Sequence, residues 1–394
     1  MGRMEERITG AKQENLQQFL SDSPWQSRGL WFWVGQRATE PLGGQARSML
    51  LIDASAHGKN GDTSAGVARQ YHGRLGKPDH GQVGGYSALA LGTRATLTGG
   101  RLYLPEAGGQ DRPRWVAAGI PVEEIRFRTQ LELARELGVE ARAHGLDFAW
   151  VGIDAGEGRD QGFLSWIEDQ KLGFVGDAPR DLLVWEKRPT GGERPAKLKA
   201  SGARAVGKLG RAWRAAGPGR KGTLRAGENG PVRVKVWARR VWVWPAGQKE
   251  PRCWWLVVRE DRQGQSKLTL INAAAGTPLE ELAVLQGGRH CVERAFADGQ
   301  SQVGLGDYQV RQWLGWQHHT ARVGLAMLLV LEERLLAERE YPLLSVRDVV
   351  ELMSWYYLEY PNLERLLEVM RRRHRRRKQV MQAATKRAKK DEKT

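Results

Sequence analysis

Two apolar runs in this chain end alike. ARSMLLID (46–53) closes on Ile52-Asp53 ahead of Ala54, and DFAWVGID (147–154) closes on Ile153-Asp154 ahead of Ala155. A short apolar run bounded by turn residues reads as a buried strand, so each aspartate is expected at the mouth of a strand. The two lie 101 residues apart, and only tertiary folding can bring them together. For one aspartate at a strand end, a turn or capping role is the simplest reading. The repeat of the pattern asks for more.

The stretches around these strands set the architecture. Residues 14–36 begin with a short amphipathic helix, Leu16, Phe19 and Leu20 on one face, which Asp22, Ser23 and Pro24 stop. After Asp53, GDTSAGVARQYHG (61–73) and GQVGGYSALALG (81–92) read as two more strands in a meander. Residues 122–144 carry helical periodicity through Ile125, Leu131, Leu133, Ala134, Leu137 and Ala141, ended by Gly145. A helix at 161–170 and short strands at 172–175 and 182–186 follow Asp154. Residues 189–231 are rich in Gly, Pro, Ala and Arg/Lys and read as a basic linker or loop. Residues 232–272 alternate Val232, Val234 and Val236 with Arg233, Lys235 and Trp237. VWVW (241–244), CWWLVV (253–258) and KLTLIN (267–272) continue the pattern of an antiparallel sheet. A helix at 289–303, a second over 308–340 and a third over 345–370 complete the chain ahead of a basic tail.

The helix RHCVERAFADGQSQV (289–303) places Arg289, Glu293, Phe296 and Gln300 on one face. Alone, this is an Arg–Glu pair on a solvated helix, worth a few tenths of a kcal/mol. In company it completes a set, because Glu293 follows Asp154 by 139 residues. The order is three strands, helix, strand, helix, strand, β-rich insertion, helix. It is the order in which a ribonuclease-H-like nuclease core places its acids. The expected fold class is therefore α/β (α+β). A mixed sheet is flanked by helices, with the β-rich insertion before the Glu293 helix and a helical C-terminal region. The chemistry needs such a cluster. Two Mg²⁺ ions about 4 Å apart, bridged by carboxylates, activate a water or 3′-hydroxyl and stabilise the leaving oxygen. Mg²⁺ prefers oxygen ligands and keeps several waters, so three carboxylates suffice.

Charge adds a partner. The 394 residues carry a net +17, which points to an anionic partner. The tail RRRHRRRKQVMQAATKRAKKDEKT (371–394) alone holds twelve Arg/Lys against two acids. It reads as a disordered segment or frayed helix that clamps DNA phosphates without sequence choice. Cys253 and Cys291 make no disulfide framework or zinc spacing, in keeping with a reducing cytosol. The longest apolar run, Val323–Leu331, is too short to span a bilayer, and the N-terminus has no signal-peptide core. His318 and His319 point about 100° apart on a helix and suit core and surface roles better than a shared metal. Asp62 and Asp79 read as turn acids. Trp237, Trp242, Trp244, Trp254 and Trp255 suit the apolar face of the insertion sheet, with stacking on unpaired bases as the other reading.

The stretch DASAHGKNGDTSAGVARQYHGRLGKPDHGQVGG (53–85) resembles the first acidic motif of bacterial insertion-sequence DDE transposases. Lys59, Gly61, Ser64, Gly66, Val67, Ala68, Arg69, Gln70, Tyr71, Gly73, Gly76, Lys77, Gln82 and Val83 fit it. FAWVGIDAGEG (148–158) is similar to the second motif, and RHCVERAFADGQSQVGLGDYQVRQWLGWQHH (289–319) to the third. ENLQQFLSDSPW (14–25) resembles the segment leading into the core. Three positions depart. Gln286 stands where relatives often have Tyr, Gln300 where they have Lys, and Ala54 where an acid often follows the first Asp. Relatives also carry a longer end-binding helical segment at the N-terminus.

The resemblance implies Asp53, Asp154 and Glu293 as catalytic and metal-binding acids, with two Mg²⁺ ions, or Mn²⁺ in their place. It implies Mg²⁺-dependent strand cleavage and strand transfer at transposon ends by a homodimer on paired ends. Arg289, Gln300, Arg69, Lys77 and the tail residues Arg371, Arg372, Arg373, Arg375, Arg376, Arg377 and Lys378 are the expected DNA contacts. The expected division is a short lead-in (1–45), a first core part (46–188), linker and insertion (189–280), core completion (281–344), and a C-terminal helix with tail (345–394). Neither a membrane nor a nucleotide cofactor is expected, and the expected place is the bacterial cytoplasm, at the nucleoid. The reading from another class is a transposase-derived DNA-binding protein with weak or no catalysis, a repressor or architectural factor.

Overall fold

The computed structural model describes residues 12–72, 76–106, 112–225, 232–341 and 344–357, and beyond them residues 364, 367, 370, 371, 374, 375, 378, 379, 381 and 382. Two compact units divide the chain. One is Met1–Ser23 with Arg347–Thr394, and the other is Pro24–Val346. The first contains helix α1 (Gln13–Ser21), in which Leu20 is buried and Phe19 exposed.

The larger unit opens with α2 (Ser27–Leu42) and four strands: β1 (Met49–Gly58), β2 (Ala68–His72), β3 (Lys77–Leu91) and β4 (Arg94–Leu102). Then come α3 (Arg112–Ala117), α4 (Gln130–Ala143), β5 (Trp150–Ile153), α5 (Gln161–Asp169) and β6 (Gly173–Asp177). The main sheet runs β2-β3-β1-β5-β6, with β4 also on β3. β1 is antiparallel to β3 and parallel to β5, and β5 is parallel to β6. The succession β4-β3-β1-β5-β6, with helices between β4, β5 and β6, is a ribonuclease-H-like mixed sheet.

Local chemistry explains the elements that hold this sheet. Met49–Ile52 are buried because β1 is covered on both faces. α4 starts at a capping box, Thr129 with Glu132, and buries Leu133, Ala134, Leu137 and Ala141. Residues 122–124, expected in this helix, form a separate 3₁₀ turn.

The insertion supplies β7 (Leu183–Val184), β8 (Arg204–Ala205), α6 (Val206–Ala216), β9 (Arg220–Arg225), β10 (Val232–Val243), β11 (Arg252–Glu260) and β12 (Ser266–Ile271). β7 and β8 pair only with each other in a small two-stranded sheet, whereas β9–β12 extend the main sheet. β12 pairs with β6, and the order continues β12-β11-β10-β9. After it come α7 (Leu279–Gly288), α8 (His290–Gln302) and α9 (Trp313–Ala337). α10 (Val346–Tyr357) begins at the boundary of the larger unit and lies almost wholly in the smaller one. α9 packs on β4 and α2, and the absence of a side chain at Gly324 admits the Trp31 ring, which a Cβ there would meet at 2.2 Å.

Several expectations need correction. Asp53 does not end its strand, because β3 keeps pairing with β1 as far as Gly58↔Gly81. The stretch 61–73 is strand only at Ala68–His72, and the third long strand is β4. The stretch 189–231 is more than loop. Val206, Leu209 and Trp213, spaced for one helical face, bury α6 within its Arg- and Gly-rich surroundings. α2 and α7 were not foreseen, and the helix placed at 308–340 is Trp313–Ala337. Among the described residues no helix is long and apolar enough to cross a membrane.

Candidate active site

The register of the parallel strands builds the site. Leu50↔Val151 and Leu51↔Gly152 fix an offset of 101 between β1 and β5, and continued two residues it brings Asp53 beside Asp154. β5 and β6 pair Gly152↔Val175 and Ile153↔Gly176, so one step further Asp154 meets Asp177. Three neighbouring parallel strands thus each carry an aspartate at one level. β1 pairs antiparallel with β3 on one side and parallel with β5 on the other, and it runs five residues past Asp53 while β5 stops at Ile153.

α8 packs against β1, β3 and β4. Phe296 meets the Tyr86 ring edge-on at 5.7 Å, and Gln300 Nε2 donates to Ser55 Oγ at 2.9 Å. Arg289, where α7 hands over to α8, is buried among the acids. Its Nε lies 3.0 Å from the Ile153 carbonyl and 3.1 Å from Asp177 Oδ2. Nη1 reaches Glu293 Oε1 at 3.2 Å, and Nη2 reaches Asp53 Oδ2 at 3.5 Å.

Each acid titrates according to its surroundings. Burial pushes Asp53 up to about 6; the charges of Asp154 and Glu293 add to this, while Arg289 and the Ala54 N–H oppose it. Burial also works against the charge of Asp154. Hydrogen bonds from the Glu157 carboxyl and from the backbone N–H of Gly156 and Glu157, with the Arg289 charge, still hold it below the usual range. Glu157 is pushed up to about 9 by burial and by the proton it shares with Asp154. Glu293 is held down to about 2, chiefly by His290 Nδ1 at 3.1 Å, against burial and with help from Lys267 and Arg289.

The sequence did not single out Asp177 or Glu157, and it marked Gln286 only as a departure from the third motif. Asp177 takes Lys267 Nζ at 2.9 Å and the Thr269 hydroxyl at 3.0 Å, and Gln286 Nε2 donates to that hydroxyl at 2.8 Å. Its signal was present, because GFVGD (173–177) is a third apolar strand ending on Asp.

Other expected DNA contacts lie elsewhere. Arg289 is enclosed and committed to carboxylates, so a phosphate contact is replaced by an internal counter-ion role. Gln300 likewise ties α8 to β1. Arg69 and Lys77 are exposed on β2 and β3, away from the acids. Arg371, Arg375 and Lys378 are helical and exposed, and Arg372, Arg373, Arg376 and Arg377 lie outside the described residues. His318 is buried, stacked 3.8 Å from Trp25, and His319 bonds to the Gly304 carbonyl. Trp237, Trp244, Trp254 and Trp255 donate their indole N–H to protein acceptors; Trp244 and Trp254 are buried, while Trp237 and Trp255 are half-buried.

A family model described as DDE superfamily endonuclease matches residues 1–240. The chain belongs to that family. The matched span contains Asp53 and Asp154 and ends before Glu293, which rests on the geometry above. By family the chain is a nucleic-acid-cleaving enzyme. No curated protein matches it. Among solved structures, the NurA nuclease from Sulfolobus solfataricus aligns over 79% of this chain and 94% of its own at 9% identity. The TM-score of 0.27 is too low to speak for a common fold.

DDE endonucleases generally use divalent metals. All candidate donors are carboxylate oxygens, and Glu157 Oε2 is buried without a hydrogen-bond partner. Among the described residues no three His, Cys, Asp or Glu side chains are grouped to hold one ion. Mg²⁺ commonly takes one or two protein carboxylates and fills its other positions with water and substrate phosphate.

Proposed function

We propose that this DDE endonuclease is a transposase that cleaves DNA at the ends of an insertion sequence and joins the freed ends to target DNA. Asp53, Asp154 and Glu293 are its acids. The observation that carries the reading is their convergence: two strand aspartates at one register level, facing a helix glutamate across Arg289. Mg²⁺, when bound, would lower the pKa of an attacking water or hydroxyl and neutralise the leaving oxygen. Asp53 and Asp154 would hold the ion from the sheet and Glu293 from the facing helix, and Arg289 ties Asp53 to Glu293.

In the first step water attacks phosphorus, the P–O3′ bond breaks, and the 3′-oxygen leaves as a hydroxyl. In the second, that hydroxyl attacks a target phosphorus and displaces the target's own 3′-oxygen. Arg69, Lys77 and the tail bind backbone, and two copies act on paired ends.

One observation favours a second reading, a DNA-binding protein without cutting: Arg289 bridges Asp53 and Glu293 where a cation would go. One experiment decides. Duplexes ending in the element's inverted repeats are incubated with the protein in Mg²⁺ or Mn²⁺. Cutting by the wild type, abolished in Asp53→Asn, Asp154→Asn and Glu293→Gln with binding retained, supports the transposase. A variant that still cuts removes its residue from the set. A wild type that binds but never cuts gives the second reading.

A further inference from the structure

The positive charge of this chain is concentrated in two places. Residues 206–240 hold ten Lys/Arg and one acid, Glu228, and the tail holds twelve against two; together they exceed the net +17 of the whole molecule. The tail is assigned to DNA above, whereas the basic part of the insertion has no role there.

The fold gathers that charge on one face. β9 and β10 pair Lys221↔Lys235 and Thr223↔Arg233, so these four side chains stand together, and all four are exposed. Two lysines directly opposite each other repel. Glu260 is shared between Arg214 at 2.9 Å and Lys235 at 3.5 Å, and among the described residues no acid pairs with Lys221 or Arg233. α6 lies on the same face. A Cβ on Gly210 would meet Val258 at 3.4 Å, and Val258 pairs Trp237, two residues from Lys235. The helix adds the exposed Lys208 and Arg211.

This is not the face of the acids. Asp177 pairs Thr269, Thr269 pairs Val257, and Val257 pairs Ala238. Ala238 and Lys235 are an odd number of residues apart, so alternation turns them to opposite sides of the sheet.

Chemistry selects the partner. Lys, Arg and Thr are side chains that contact phosphate oxygens. A protein partner would call for an apolar or aromatic centre, and among the described residues of the insertion no large apolar side chain is exposed. We infer that the face carrying Lys221, Arg233 and Lys235 binds the phosphate backbone of duplex DNA, on a path separate from the strand held at the acids. This rests on the reading of the protein as a DNA-cutting enzyme.

The test is binding of the full-length protein to inverted-repeat and scrambled duplexes at several salt concentrations, without divalent metal. Lys221→Gln with Arg233→Gln is compared with the wild type and with a control pair of equal charge loss, Lys187→Gln with Lys249→Gln, both exposed. The first pair should lower the slope of log affinity against log salt by about 1.8, that is, about 0.9 for each lost phosphate contact, on both duplexes alike. The control pair should keep the wild-type slope. Without DNA, Lys221→Gln should melt at or above the wild-type temperature, because it relieves the repulsion. Should the double variant not fold, Lys221→Gln alone is expected to lower the slope by about 0.9. An unchanged slope, or an equal fall in the control pair, overturns the surface and leaves the enzyme reading standing. So does a loss seen with single-stranded RNA but not with duplex DNA. No duplex bound by the wild type overturns both.

Discussion

Arg289 Nε lies 3.1 Å from Asp177 Oδ2, with the two side chains only 7% and 8% exposed. The pair anchors the guanidinium whose two outer nitrogens hold Asp53 and Glu293. A strand carboxylate that takes no part in the three-acid set thereby determines where two of its members sit. Behind Asp177 stand Lys267, Thr269 and, through the threonine hydroxyl, Gln286.

Breaking this pair is expected to be costly. Asp177→Asn keeps the volume but leaves Arg289 and Lys267 short of a charge. Removal of one partner from a buried ion pair costs about 3 kcal/mol or more. Urea unfolding of the metal-free protein measures it, and a loss below about 1 kcal/mol would mean that the remaining carboxylates compensate for Asp177.

The carboxyl of Asp53, raised to about 6 mainly by burial, predicts a pH dependence. The native state holds this proton more tightly than the unfolded chain, in which aspartate titrates near 4. The contribution is complete below about 4 and is lost as the pH rises through 6. Glu293 is opposite. Held down to about 2, it contributes above the usual glutamate range and loses that contribution as the pH falls toward 2. Melting curves in chelator from pH 4 to 7 should therefore show Asp53→Asn gaining on the wild type as the pH rises. A difference that stays constant with pH would mean that the Asp53 carboxyl is not raised.

Much of this was written in the residues. The ends LLID and VGID announced two strands with acids, and their separation of 101 proved to be the strand register itself. Of the four residues that the spacing set on one face, Phe296 and Gln300 meet β3 and β1, Arg289 lies buried just ahead of α8 beside Asp177 and Asp53, and Glu293 is half exposed. What the spacing could not give was the partner of each polar group. Arg289 and Gln300 read as solvent-facing DNA contacts because a helix pattern distinguishes faces, not what covers them. Gln286, conspicuous only as a departure, is buried against Thr269. The distinctive residues of the first acidic motif are largely structural. Lys59 Nζ reaches the Tyr308 carbonyl, Gln70 donates to Gly66 and Gly81, and Gln82 to the Ala65 carbonyl. α6 escaped because three apolar residues among glycines and arginines make a weak periodic signal, and only packing on the insertion sheet stabilises such a helix.

The Gln300–Ser55 bond gives a smaller prediction. Gln300→Ala removes one partly buried hydrogen bond between α8 and β1 and should cost about 1 kcal/mol, with duplex affinity unchanged. Weakened DNA binding at unchanged stability would instead return Gln300 to the DNA interface.

The tail gives the last. Arg371, Arg375 and Lys378 are helical and exposed, and spacings of four and three residues set them on one face. A row of cations at helical pitch can follow a phosphate backbone but carries no means of reading base edges, which requires reaching into the grooves. Deleting residues 371–394 should therefore weaken binding to every duplex by the same factor. It should also flatten the dependence of log affinity on log salt, by about 0.9 for each phosphate that the protein no longer neutralises. Three phosphates neutralised by Arg371, Arg375 and Lys378 alone would account for about 2.7 of the slope. Isotherms at several salt concentrations, on inverted-repeat and scrambled duplexes, separate the alternatives. An unchanged slope would mean that the tail does not touch DNA. A weakening confined to the inverted repeats would mean that it reads sequence after all.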